Sequence, residues 1–310
     1  MSNRQDIGIA HLTLLSVAPP DLVAVASQAG YDTVGIRVGT VTPTEERWPM
    51  EVGSALFAET VTVLEDTGVR VNDVEIVRLS PDFDVADHIR TFESGQALGA
   101  RFLNVLADDP DLIRVHDNFA ALDTAASRYG LRPILEPMVF MSVSDFDDAV
   151  AVVKGTGGGV MVDPLHLRRF GGSVAEIAGI DPALLPYCQI CDAPAELPAS
   201  LHRPASLPRG QSPDVDNLQL ESRAVRLLPG EGELPLAEIF AAMPPDIPIS
   251  LEAPNIALLE QLGAVDFCRR ARGAIARVLD EAAAIRSAGD EQAYDGAAQP
   301  GRAGHGREAQ

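Results

Sequence analysis

Asp66-Thr67-Gly68-Val69 closes a helical stretch with a glycine and opens an apolar run that continues to Val77. The same junction recurs as Gln28-Ala29-Gly30-Tyr31, Leu98-Gly99-Ala100 and Tyr129-Gly130-Leu131, with the four glycines 38, 31 and 31 residues apart. A glycine there supplies the left-handed turn that ends a helix, and a recurring unit of that size reads as a βα module. Working outward, eight apolar runs have strand character: Ile7–His11, Thr33–Val38, Val69–Val77, Phe102–Leu106, Pro133–Pro137, Val160–Asp163, Tyr187–Cys191 and Ile247–Ala253. Eight modules predict a single α/β domain, a closed (β/α)8 barrel over residues 1–285. An open doubly wound sheet would carry Gly-x-Gly-x-x-Gly after its first strand. Here Leu14-Leu15-Ser16-Val17-Ala18-Pro19-Pro20 follows it, and Gly157-Gly158-Gly159 precedes a strand, where it reads as a turn.

Two segments depart from the repeat. Residues 193–228, rich in Pro, Ser and Leu, follow the seventh strand and are expected to form a lid over the barrel mouth. Residues 286–310, mostly Ala, Gly, Gln and scattered charge, are expected to be a disordered tail.

Composition removes several functions. Of 310 residues 46% are hydrophobic, enough for a sizeable core, and no apolar run reaches the roughly 18 residues that a membrane span needs. With 24 Lys and Arg against 45 Asp and Glu, the net charge of −21 repels nucleic-acid phosphates and anionic membranes. Met1–Asp6 has no basic segment followed by an apolar core, and three cysteines make no disulfide framework, so a cytoplasmic location is expected. The only lysine, Lys154, precedes its glycines in the wrong order for a phosphate loop and closes an amphipathic stretch, away from any strand that would carry a Schiff base.

In a βα barrel the chemistry comes from the carboxyl ends of the strands. The fifth strand ends Leu135-Glu136-Pro137 and the eighth Leu251-Glu252-Ala253. The sixth gives Val162-Asp163-Pro164-Leu165-His166 and the seventh Gln189-Ile190-Cys191-Asp192. Two glutamates and an aspartate converging on one mouth repel unless a cation lies between them. Hard oxygen ligands suit Mg²⁺ or Mn²⁺, and the nearby imidazole also permits Co²⁺ or Zn²⁺. Arg226 and Arg37 are candidate contacts to substrate, which would be anionic if both point inward, and Glu75 is a candidate for hydrogen bonds to hydroxyls. His11 reads as a satisfied core histidine. Cys188 and Cys191 face opposite sides of one strand, which argues against a redox pair.

These strand ends, together with Pro229-Gly230-Glu231-Gly232-Glu233, resemble the xylose isomerase-like TIM-barrel family of sugar phosphate isomerases and epimerases, over about residues 7–285 and in the family's order. The resemblance implies a divalent metal held by Glu136, Asp163, Gln189 and Glu252, with His166 and Arg226 contacting a small-molecule substrate, and it allows a homo-oligomer. Family members usually carry histidine where this chain has Gln189. A glutamine there is similar to bacterial 3-dehydroshikimate dehydratases of the same superfamily.

The implied chemistry is removal of a proton beside a substrate carbonyl, giving an enediolate, with Glu136 and Glu252 as the two proton-transfer groups. Return of the proton to the other face is epimerisation, and return to the neighbouring carbon is isomerisation. Expulsion of a β-hydroxyl, with His166 giving the proton, would be dehydration of a cyclic β-hydroxy ketone. A non-catalytic binding barrel is the remaining alternative. A DNA phosphodiesterase of the endonuclease IV type needs a histidine-rich multi-zinc site and a basic groove, and six histidines with a charge of −21 do not supply them.

Overall fold

The computed structural model describes residues 5–297. Eight strands run in chain order: β1 (Ile7–Ile9), β2 (Thr33–Arg37), β3 (Arg70–Leu79), β4 (Phe102–Ala107), β5 (Arg132–Leu135), β6 (Gly159–Val160), β7 (Cys188–Ile190) and β8 (Ile249–Leu251). Each overlaps one of the eight predicted runs, although β3 continues past Val77 to Leu79 and β6 shares only Val160 with its run. All neighbours pair in parallel in the order β6-β5-β4-β3-β2-β1-β8-β7, so the first and last strands of the chain lie side by side. β6 and β7 form no ladder, but Gln189 N donates to Val162 O at 3.0 Å and joins the two edges. The sheet thus curls into a single α/β barrel.

The helices are α1 (Pro19–Ala29), α2 (Ala55–Thr67), α3 (Ile89–Ala97), α4 (Leu112–Ala126), α5 (Phe146–Val153), α6 (Pro164–Arg169), α7 (Val174–Gly179), α8 (Asn217–Ala224), α9 (Leu236–Ala242), α10 (Ile256–Leu262) and α11 (Ala264–Ala297). The repeated glycines do what their spacing predicts. Gly30 and Gly68, at φ 82° and 72°, end α1 and α2 in the left-handed region, and their backbone N–H groups close the last helical turns. No helix among the described residues is long and apolar enough to cross a membrane.

Side chains of alternate strand residues point into the barrel, so each strand contributes a short inward column. β4 supplies Phe102, Asn104 and Leu106, and Phe102 stacks on Tyr187 at 4.8 Å beside Ile134 and Met161 to fill the floor. Above that lies a polar layer in which buried Asp73 accepts from Asn72 and Asn104, while Tyr187 donates to Asn104. Gly35 faces it from β2, where a Cβ would stand 2.6 Å from Asp73 Oδ2 and 2.9 Å from Glu75 Oε1. The absence of a side chain there makes room for two carboxylates. The β3–β4 register skips Ile76, and that bulge lets Glu75 and Ile76 both reach the mouth.

The segment predicted as a lid covers the mouth but is not irregular throughout, since it contains α8. Asp216 caps that helix by accepting from Gln219 N, an Asp-x-x-Gln start signal present in the sequence. The lid is fastened across the barrel to the β2–α2 connection: Glu46 N donates to Arg209 O, and the Arg209 guanidinium lies 3.8 Å over the Trp48 ring. The stretch expected to be a disordered tail begins as helix, because α11 continues to Ala297 and Arg286 donates to Phe240 O at 2.6 Å. The rest of that tail, 298–310, lies outside the described residues.

Candidate active site at the carboxyl ends of the strands

Every residue singled out at the strand ends is buried at this mouth. Asp163 is the N-cap of α6, with Oδ1 accepting from Leu165 N at 2.7 Å and His166 N at 3.1 Å, which turns Oδ2 toward the barrel axis. There it pairs with Arg226 Nη1. Arg226 Nη2 reaches Glu252 Oε2 at 3.0 Å, and Nε is tied to Ser222 O at 2.9 Å, so the guanidinium bridges two carboxylates from different strands. Gln189 Nε2 donates to the other oxygen of Glu252 at 2.7 Å. Glu136, Asp163 and His166 offer ligand atoms that all lie within 4.8 Å of one another, and His166 Nε2 stands 3.7 Å from Glu136 Oε1.

Burial lowers the His166 pKa to about 4, with Arg226 adding and Asp163 opposing, so its contact with Glu136 is not an ion pair at neutral pH. Arg226 Nη2, a donor only, faces Nε2 at 3.4 Å, which assigns the lone pair to Nε2 and the proton to Nδ1. Burial pushes Glu136 well above the usual carboxyl range, and the charges of Glu252 and Asp163 push the same way. It also lifts Glu252 to about 7 against the pull of Arg226. Burial acts likewise on Asp163, but the charge of Arg226 and the hydrogen bonds to it outweigh that and hold it below the ordinary value.

The donor set suits a divalent cation. Glu136 Oε1, Gln189 Oε1 and His166 Nδ1 are buried without a hydrogen-bond partner, which is costly for groups removed from water. Two of these are the hard oxygen donors that a divalent ion takes.

The remaining candidates have other duties. Arg37 is held by Glu45 through Nε at 3.3 Å and by Glu75 through Nη1 at 3.6 Å. Glu75 Oε1 also accepts from His11 N at 2.8 Å, so both of its oxygens face partners inside the protein. His11 accepts from Arg37 N at Nδ1 and contacts Val17 O through Nε2, and burial takes its pKa down to about 3: it is a satisfied core histidine. The cysteines are free, Cys188 toward Pro248 O and Cys191 toward Asp163 and Arg226. Glu45, Gln211, Ser222 and Arg223 also reach this region and escaped the sequence reading, because loops far apart in the chain bring them in. The cavity has a second, apolar wall of Ile76, Leu106, Met138, Phe140 and Met141.

A single βα barrel with acidic side chains gathered at the carboxyl ends of strands β5, β6 and β8 defines the class. The family model described as xylose isomerase-like TIM barrel matches residues 23–270, and the chain belongs to that family. No curated protein matches the sequence. Among solved structures, a fusion of a xylose isomerase-like TIM barrel with a 4-hydroxyphenylpyruvate dioxygenase is 20% identical at a TM-score of 0.61, over 81% of this chain. The chain spans 39% of that fusion's length. An L-ribulose 3-epimerase is 15% identical with a TM-score of 0.64, over 91% of this chain and 97% of that one. The IolI protein with a bound zinc atom is 16% identical with a TM-score of 0.62, over 89% and 98%. At these identities the likeness is one of fold.

Proposed function

We propose that the chain is a divalent-metal-dependent isomerase or epimerase acting on a keto-sugar or related polyol. The observation that carries this reading is the convergence of Glu136, Asp163, Gln189 and Glu252 on one buried mouth, with an oxygen of Glu136 and one of Gln189 unpartnered. Epimerase and zinc-bound neighbours of the same fold support it. Mn²⁺ or Mg²⁺, with Co²⁺ or Zn²⁺ as alternatives, would be held by those four residues and would make the proton beside the substrate carbonyl removable at neutral pH.

Glu136 and Glu252, three strands apart round the barrel, are the groups that take the proton from carbon and return it. Return to the opposite face epimerises the carbon, and return to the next carbon isomerises the sugar. Asp163 orients Arg226 and caps the helix that carries His166, so one carboxylate sets two groups that face the substrate. The lid and the apolar wall exclude water from the proton in transit. In this reading the protein is cytoplasmic, acts on a small molecule and is able to form a homo-oligomer.

Dehydration is the second reading, favoured by Gln189 and by the apolar wall, which suits one face of a carbon ring. A glutamate removes the proton beside the carbonyl and returns it to His166 at Nε2, which faces Glu136 at 3.7 Å, while His166 gives its Nδ1 proton to the departing β-hydroxyl, so that water leaves and the imidazole stays neutral. A barrel that only binds is the third.

Incubation of the full chain with Mn²⁺ and keto-sugars in D₂O separates them. Deuterium at a carbon beside the carbonyl, with mass otherwise conserved, is the expected result. Loss of 18 mass units, the mass of water, marks the dehydratase, and absence of exchange with any substrate overturns both. Glu136→Gln is expected to lower the exchange rate by about 10²–10⁴-fold while circular dichroism stays unchanged. Retention of near-normal exchange removes Glu136 from the proton path.

A further inference from the structure

Arg37 and Arg226 are the cations a sequence reading offers to an anionic substrate, and both are already engaged by carboxylates of the protein. A third guanidinium lines the same cavity. Arg223 lies one turn before Arg226, near the end of α8, half-buried. Among the described residues its guanidinium makes no hydrogen bond and no ion-pair contact.

Its acidic neighbours are occupied elsewhere. Glu45 gives one oxygen to Arg37 and the other to Val41 N and Gln211 Nε2, both at 3.1 Å. Asp216 caps the far end of α8. Burial pulls the Arg223 pKa below its ordinary value against the attraction of Glu45 and Asp216, and the charges of Arg37 and Arg78 add to the fall. A cation that has lost part of its water, and whose anionic neighbours attract it without hydrogen-bonding to it, gains from an incoming carboxylate. Gln211, which lines the same cavity, has its Oε1 buried and unpartnered, an acceptor waiting for a donor such as a hydroxyl.

We propose that Arg223 is the residue that selects the substrate, and that the substrate is a small polyhydroxylated carboxylate whose anionic end docks on this guanidinium. The proposal rests on reading the cavity as the substrate pocket. The planar fork matches a carboxylate through two parallel hydrogen bonds. A phosphate dianion fits less well, because Glu75, Glu136 and Glu252 border the same space and repel a second negative charge.

The test is calorimetric binding of three probes to the full chain in Mn²⁺ buffer: D-fructose, its C6 acid D-fructuronate, and D-fructose 6-phosphate. The acid is expected to bind at least about tenfold more tightly than the neutral sugar. In Arg223→Gln that ratio is expected to fall to within about threefold, with circular dichroism unchanged, and Arg223→Lys to recover part of it, since a point charge replaces the fork. Absence of any preference for the acid, including absence of binding, overturns the proposal. So does a preference that survives Arg223→Gln, or tighter binding of the phosphate. The proposed reaction is judged separately. Deuterium exchange into D-fructose without a preference for the acid removes only Arg223, whereas an Arg223-dependent preference without carbon exchange removes only the reaction.

Discussion

Two ion pairs at opposite ends of the barrel use the same chemistry in different surroundings. At the amino ends of the strands, Arg70 of β3 meets Asp6 at 2.7 Å, with side chains 58% and 23% exposed. At the carboxyl ends, Arg226 meets Asp163 and Glu252 with exposures of 0%, 1% and 6%. Water screens the first pair and leaves it little to contribute. The second has surrendered its hydration, and apolar side chains of similar volume would stabilise such a site as well or better. A fold with a large apolar core gains no stability from charges placed there, so the difference between the two ends separates what folds the barrel from what the barrel is for.

Removing each arginine breaks the comparison from either side, and the buried one gives the largest effect. Arg226→Met leaves Asp163 and Glu252 unpaired and is expected to destabilise the protein by about 3–5 kcal/mol in denaturant titration. Mn²⁺ is expected to recover part of that loss, because an added cation binds the same two carboxylates. A loss below about 1 kcal/mol would show that water reaches the site and that its burial is not decisive.

Asp73, in the polar layer beneath the mouth, sharpens the same contrast through pH. Burial first, and the Glu252 charge after it, raise its pKa from 3.8 to about 7 against the donors Asn72 and Asn104. A raised folded-state value means that the native protein holds a proton which the unfolded chain has released between about pH 4 and 7. Its contribution to stability is therefore complete below about pH 4 and is lost as pH rises through 7. Asp73→Asn is expected to remove roughly 2–4 kcal/mol of pH dependence across that window, read from unfolding curves at pH 4.5 and 7.5. An unchanged slope would mean that Asp73 is already ionised in the native state.

The fold was legible because its signals are local. A glycine that must adopt positive φ, such as Gly30 or Gly68, marks a helix end wherever it stands, and the apolar runs between such ends became the eight strands. The shortest strand, Gly159–Val160, was still legible, since Met161 and Val162 keep its apolar pattern after the ladder stops. The strand-end acids were legible for the same reason: a carboxylate that closes an apolar run has few core duties. Their partners were not. That Glu45 would hold Arg37, or that Arg226 would bridge Asp163 and Glu252, depends on contacts between segments 8 to 63 residues apart, in which no periodicity takes part. Arg223 escaped because its distinction is a missing partner, which only the assembled pocket reveals.

The smallest effect belongs to the exposed pair. Arg70→Ala removes a charge that reaches Asp6 at the rim of the sheet, while Val69 and Val71 on either side stay buried and keep the strand in place. The expected loss is about 0.5 kcal/mol or less in dilute buffer, fading toward zero in about 1 M salt, where the screening length falls to roughly 3 Å. Salt should leave the Arg226 effect nearly intact, because ions do not enter a site from which water is excluded. A salt-insensitive loss above about 1 kcal/mol at Arg70 would place that pair in a drier setting than its exposure indicates, and the two ends of the barrel would then differ in degree and not in kind.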